Sequence, residues 1–215
     1  MDGLHFVYFA DPMCSWCYGF SPVVDALEAR YGDILPIRLV MGGLRPGTDK
    51  PMTEKAKADT LGHWHHVHEA SGQPFDESVF DREGFVYDTD PAARATVLAR
   101  RTSQAAGLQY LARVHRAFYS EGQDVTRYEV LADLAGELGF DRTAFLSALA
   151  DQGLRDETWR DYAISQRAGV TGFPTLILGP NADGTYAMVT RGFQPGAQVL
   201  GLIDHWLASV RPAAE

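Results

Sequence analysis

The chain has 215 residues, of which 46% are hydrophobic, and a formal net charge of −9 at pH 7. That length fits one large domain, or one domain carrying an insertion, with enough apolar residues for a substantial core. The acidity argues against nucleic acid as a partner, because phosphate backbones are gripped by clustered Lys and Arg. No window approaches the roughly 20 apolar residues of a membrane span, so no membrane partner is expected. The segment Met1-Asp2-Gly3-Leu4-His5 lacks the basic and apolar regions of a secretory leader. The reading is therefore a cytoplasmic protein, in a compartment that keeps thiols mostly reduced.

Leu4 to Ala10 is apolar, β-branched and aromatic, and reads as a buried strand. A helix is expected from Cys14 to about Arg30, because Phe20, Val24, Leu27 and Tyr31 share one face. Pro22 should kink it, and Gly32 should stop it. Ile34 to Met41 reads as a second buried strand, ended by Gly42-Gly43. Strand, helix and strand so close together make a βαβ unit with parallel strands and a right-handed crossover.

The strand signal then lapses. Helices are expected from Thr53 to Glu69, from Asp90-Pro91 to Ala105, and from Leu108 to Tyr119. Asp90 reads as an N-cap before Pro91. Thr126 and Glu129 have the spacing of a capping box, opening a helix to Leu138. Two more helices run over Asp141 to Leu149 and Leu154 to Ala168. The strand signal returns at Pro174 to Leu178. A turn-forming loop from Pro180 to Gly184 leads to Tyr186 to Arg191, so the pair reads as an antiparallel hairpin. Pro195 opens a last helix bearing Val199, Leu202, Ile203 and Trp206. The order is β-α-β, a helical block, then β-β-α, with both ends in one sheet and the block as a lid.

The chain has two cysteines, Cys14 and Cys17. Both lie on the turn between the first strand and the first helix. One such pair is too few ligands for a zinc site, which takes about four. A redox dithiol needs only two, one to attack and one to resolve the mixed disulfide. The first turn of a helix also favours a thiolate, through its unpaired N–H groups and positive dipole end. The plain alternative is a pair of structural cysteines.

Asp11-Pro12-Met13-Cys14-Ser15-Trp16-Cys17-Tyr18-Gly19, together with Pro22 and the distant Gly169-Val170-Thr171-Gly172-Phe173-Pro174-Thr175, resembles the thioredoxin superfamily. The long helical block places the resemblance in its DsbA-like branch, nearest the FrnE-type predicted protein disulfide isomerases. The resemblance implies an α/β thioredoxin fold, β-α-β then β-β-α, with a large all-helical insertion between the second and third strands. It implies a thioredoxin-like domain over 1–48 and 170–215 and an inserted helical domain over 49–169. It implies a thiol–disulfide oxidoreductase or isomerase in which Cys14 is the nucleophile and Cys17 resolves. Cys14 should face solvent and Cys17 should be buried. In relatives the nucleophile's pKa can fall to roughly 3.5–7.5. Pro174 should be the cis-proline beside the sulfurs, leaving the Phe173 backbone free to pair with an extended substrate.

Substrate contacts are accordingly expected at Trp16, Phe173, Pro174 and Thr175, with Asp11 and Pro12 in support. Asp11 is either an acid that moves protons near the sulfurs or a turn residue. No resident cofactor is expected, though glutathione would serve as a co-substrate. The partners would be disulfide- or thiol-containing proteins or small thiols, and a homodimer is allowed. Relatives that act as 2-hydroxychromene-2-carboxylate isomerases or kappa glutathione transferases offer an alternative, a glutathione-dependent isomerase or transferase of small molecules. Those branches commonly carry serine where Cys14 stands. The dipeptide Ser15-Trp16 matches neither Gly-Pro of thioredoxin nor Pro-His of DsbA, so no reduction potential carries over.

His63, His65, His66 and His68 suggest metal at first sight. At about 100° per residue they split into two pairs on different sides of a helix, so the four cannot converge on one ion. No metal is expected, and a cleft or surface role remains. The loop Met41 to Gly47 lacks a phosphate loop's Gly-Lys-Ser/Thr ending and reads as a linker to the helical block.

Overall fold

A computed structural model describes residues 3–210. Met1 and Asp2, part of the segment read for a leader, and residues 211–215 lie outside the described residues. Four strands form one sheet: β1 (His5–Ala10), β2 (Ile37–Met41), β3 (Thr175–Gly179) and β4 (Ala187–Arg191), in the order β2-β1-β3-β4. β1 runs parallel to β2 and antiparallel to β3, which pairs antiparallel with β4. Every residue of β1 is buried because both faces of the sheet are covered. Phe6, Tyr8 and Ala10 enter the main core, while Val7 and Phe9 meet Val40, Ile164 and Ile177 on the other side.

The helix after β1, α1 (Ser15–Tyr31), contains Pro22, which has no N–H for the carbonyl of Tyr18. The Ser21 hydroxyl lies 2.8 Å from that carbonyl and replaces the missing donor. Gly32 stops the helix as expected, capping it in a right-handed conformation with its N–H on Glu28 O. β2 begins at Ile37 rather than Ile34, because Ile34 and Leu35 both return N–H bonds to Tyr31 and Ile34 is exposed.

Between β2 and β3 lie α2 (Glu54–Ser71), a 3₁₀ turn at Glu77–Asp81, α3 (Asp90–Arg100), α4 (Gln104–Tyr119), α5 (Tyr128–Glu137), α6 (Arg142–Leu149) and α7 (Gln152–Arg167). α8 (Gly196–Val210) closes the chain. The expected fold class is the observed one. α3 stops at Arg100, five residues early, because Ser103 caps a new helix by accepting from Ala106 N–H. Thr89, not Asp90, precedes α3. The carboxylate of Asp90 instead pairs with Arg94 inside the protein. The capping box at Thr126 does not form either: Asp124 accepts from both the N–H and the hydroxyl of Thr126, and Arg127 stands at the cap.

Two features dock the helices. Gly19 lets α2 approach α1, since a Cβ there would meet Val67 at 2.8 Å. An aromatic cluster around Trp64 joins α1, α2 and α4, with Tyr18 stacked on Tyr119 at 5.0 Å and Trp64 against Phe80 at 4.8 Å. One core runs from Phe6 and Leu39 in the sheet to Phe118 and Leu149 in the helices.

The outer edge of β2 is closed by side chains rather than by another strand. Leu39 N–H donates to Gln104 Oε1 at 2.9 Å, and Leu39 O accepts from Arg100 at 2.7 Å. Met41 N–H donates to Asp161 Oδ2 at 2.9 Å, and the same carboxylate pairs with Arg100. Breaking such a buried pair strands a charge. Asp161→Ala is expected to lower the unfolding free energy by about 3 kcal/mol in urea titrations at pH 7. A loss below about 1 kcal/mol would mean that apolar packing alone holds this edge.

Candidate active site

Where β1 ends, the chain turns sharply, and Cys14 N–H returns to Asp11 O at 3.1 Å. Asp11 is fully buried, and its carboxylate accepts from Met13 N–H at 3.0 Å and from Leu44 N–H at 2.8 Å. It therefore ties the cysteine turn to the loop after β2. Tyr87 adds a third tie, donating its hydroxyl to Met13 O at 2.7 Å. Cys14 stands at the N-cap of α1, in extended conformation and making no side-chain cap.

Cys17 lies one turn further in. Cys14 is 6% exposed and Cys17 is not exposed at all. Cys14 thus does not stand in open solvent as expected. It lines a cavity of about 220 Å³ together with Trp16, Arg45, His63, Tyr87 and Phe173. Its Sγ lies 3.7 Å from Phe173 O, across 159 residues of sequence. The Phe173–Pro174 peptide bond is cis, as is Gly179–Pro180. The ring of Phe173 fits only because residue 42 is glycine, where a Cβ would lie 2.3 Å from the ring. Burial, then the nearby Cys14, pushes the Cys17 thiol well above its ordinary range.

The sequence-derived residues separate here. Trp16 is half-buried, lines the cavity and packs on Phe193 at 5.6 Å. Thr175 is buried away from the cavity, and its hydroxyl donates to Gly172 O at 2.8 Å, which braces the loop under Pro174. Pro12 is buried inside the turn. His63 reaches the cavity wall, whereas His65 pairs with Glu77 at 2.6 Å and His68 bonds to Gln73 O at 2.8 Å. Among the described residues no cluster of three or more His, Cys, Asp and Glu is placed to hold a metal ion.

Three residues at the site were not singled out in the sequence. Arg45 and Tyr87 form part of the cavity wall, with the guanidinium 5.0 Å above the Tyr87 ring. His115 lies behind the turn, fully buried on the apolar face of α4. Its Nε2 is 3.2 Å from Asp11 O and its Nδ1 is 3.3 Å from the Ser21 hydroxyl. A backbone carbonyl only accepts, so Nε2 carries the proton. A polar residue on an otherwise apolar helical stripe was the one available signal for it.

A Cys-x-x-Cys dithiol at the head of the first helix, facing a cis X–Pro segment at the start of the third strand, defines a thioredoxin-fold thiol–disulfide protein. The profile of the DSBA-like thioredoxin domain family matches residues 6–201, and the chain belongs to that family. It is similar to a candidate protein disulfide isomerase from Nitrosomonas europaea, with 32% identity, a TM-score of 0.88, and coverage of 98% of this chain and 100% of that one. It is also similar to the cytosolic disulfide reductase DsbM from Pseudomonas aeruginosa, with 30% identity, a TM-score of 0.71, and coverage of 96% of each chain. The ClpXP adapter protein SpxH of Bacillus subtilis is 25% identical over 176 residues, 81% of this chain. The match spans only 58% of that adapter's length.

Asp11 and His115 titrate in opposite senses. Burial pushes the Asp11 carboxyl up from 3.8 to about 6, against the Leu44 and Met13 N–H bonds that lower it. The folded state therefore holds this proton longer than the unfolded chain does. The resulting stability is full below about pH 4 and is lost as pH rises through 6. Burial lowers His115 from 6.5 to about 4, against its bond to Asp11 O. Here the unfolded chain takes the proton first, so the stability is full above pH 6.5 and is lost as pH falls towards 4. At about 1.4 kcal/mol per unit, each effect amounts to about 3 kcal/mol, and the two nearly cancel in the wild type. Between pH 4 and 7, the stability of Asp11→Asn should therefore rise about 3 kcal/mol more than that of the wild type. That of His115→Gln should rise less by a similar amount. Urea unfolding across this range tests both, and parallel curves for the three proteins would refute the assignment.

Proposed function

We propose that the protein is a thiol–disulfide oxidoreductase or isomerase in which Cys14 attacks and Cys17 resolves. The Cys14 thiolate attacks one sulfur of a substrate disulfide. A bond forms between Cys14 and that sulfur, and the other half of the substrate leaves as a thiolate that takes up a proton. Cys17 then loses its proton and attacks Cys14 Sγ, which closes the Cys14–Cys17 disulfide and releases the second substrate thiol. The substrate gains two electrons and the dithiol loses them. Two molecules of a small thiol such as glutathione return the Cys14–Cys17 disulfide to the dithiol and leave as their own disulfide. Attack by another substrate cysteine on the mixed disulfide rearranges the substrate instead.

The observation that carries this reading is the contrast between the two sulfurs. Cys14 lines the cavity beside Phe173 O, while Cys17 is sealed behind it with its proton held tightly. Asp11 sits close enough to Cys17 to affect its ionisation, and a carboxyl near 6 is suited to take the proton that Cys17 must lose. Trp16, Phe173 and Pro174 would contact the substrate. A cytoplasmic setting and glutathione as co-substrate draw support from the cytosolic DsbM of P. aeruginosa, which has also been solved with glutathione. A glutathione-dependent isomerase of small molecules would leave Cys17 without a duty. The direction of the cycle depends on Ser15 and Trp16. Titration against glutathione reads it: a value near about −270 mV marks a reductant and one near about −120 mV an oxidant.

Cys14→Ser is expected to reduce insulin disulfides no faster than buffer, with its circular dichroism unchanged. Cys17→Ser should accumulate a mixed disulfide at Cys14, visible as an added mass on the intact protein. Retained insulin reduction in Cys14→Ser would overturn the assignment.

A further inference from the structure

We infer that Arg45 selects the substrate, favouring disulfides that carry a carboxylate close to the reacting sulfur. This rests on the thiol–disulfide reading of Cys14. The cavity beside Cys14 holds about 220 Å³, below the roughly 300–1,000 Å³ of common small-molecule pockets. It accepts one amino-acid-sized arm of a substrate rather than a folded surface. Its wall contains one permanent cation, Arg45, and no carboxylate, in a chain whose acidic residues outnumber the basic ones 28 to 19.

Arg45 is unspent. Among the described residues it forms no ion pair within 4.0 Å, whereas the buried Arg94 and Arg100 both do. Its main chain is held in place, while its side chain is exposed to the cavity and solvent. Its N–H donates to the Thr89 hydroxyl at 3.1 Å, and its carbonyl accepts from Thr48 Oγ1 at 3.0 Å. Its guanidinium lies over the Tyr87 ring, whose hydroxyl grips Met13 O next to Cys14. The next residue back, Leu44, is the one that Asp11 ties to the cysteine turn. The main chain at Arg45 is thus tied to the cysteine turn through two short connections, and its guanidinium rests on the Tyr87 ring. A guanidinium offers a forked pair of donors that matches a carboxylate. A carboxylate seated there would place the adjoining disulfide at the cavity mouth, where Cys14 forms its new bond and the remote half leaves as a thiolate.

The test uses the full chain carrying Cys17→Ser, so that only Cys14 reacts. Second-order rates of thiol release are measured with the dianionic dithiobis(nitrobenzoate) and with the neutral dithiodipyridine. Adding Arg45→Gln should lower the ratio of the anionic to the neutral rate about tenfold, the effect of losing one charge-assisted contact. Arg45→Lys should restore much of that ratio, and raised salt should lower it in the parent but not in Arg45→Gln. If Arg45 acts only by activating Cys14, both rates fall together and the ratio stays constant, which overturns the inference. No thiol release from either disulfide in the parent would remove the thiol–disulfide reading itself, and this inference with it.

Discussion

The buried carboxylate of Asp11 is the contact on which the site's geometry depends. Its two oxygens hold Met13 N–H and Leu44 N–H, and its backbone oxygen receives Cys14 N–H and the His115 ring. Bonds to a charged group contribute about 1.5–3 kcal/mol each, more than neutral ones. They must here offset the cost of burying the charge, and the carboxyl raised to about 6 shows that they do so incompletely. The same residue therefore shapes the turn and carries a carboxyl that titrates closer to neutral pH than an ordinary aspartate. Of the two sequence readings of Asp11, its hydrogen bonds show the turn residue, and the proton carrier belongs to the proposed cycle.

The helical block acts on the sheet at two places. At the outer edge of β2, Arg100, Gln104 and Asp161 satisfy backbone groups that another strand would otherwise pair. This blocks strand addition at that edge. At the other place, α2 and the segment before α3 supply His63, Trp64 and Tyr87 to the cavity wall. Cys14 is consequently 6% exposed and lines a cavity rather than standing on the open surface. The strand-bearing ends of the chain supply the sulfurs and seven of the eleven residues lining the cavity, and the helical block supplies Thr60, His63, Trp64 and Tyr87.

The same division explains which elements were legible in the chain. Local signals sufficed for β1, for the helices opening near Thr53 and Asp141, and for the Cys14 turn, because each depends on neighbours within a few residues. They failed at Thr126 and Asp90, where a capping pattern competed with a nearer turn at Asp124 and with the buried Arg94 pair. Gly32 ends α1 as the sequence indicated, though in a right-handed conformation.

By itself the sequence determined the architecture and the dithiol. Hydrophobic periodicity, the paired cysteines and the Phe173-Pro174 segment are each carried by short stretches of chain. Only the tertiary structure decided that Cys14 lines a cavity, that Thr175 braces the Phe173 loop instead of facing that cavity, and that His115, Tyr87 and Arg45 belong to the site. The physical reason is distance along the chain. Exposure and pKa are set by what packs against a group, and around Cys14 those neighbours come from segments up to 159 residues away.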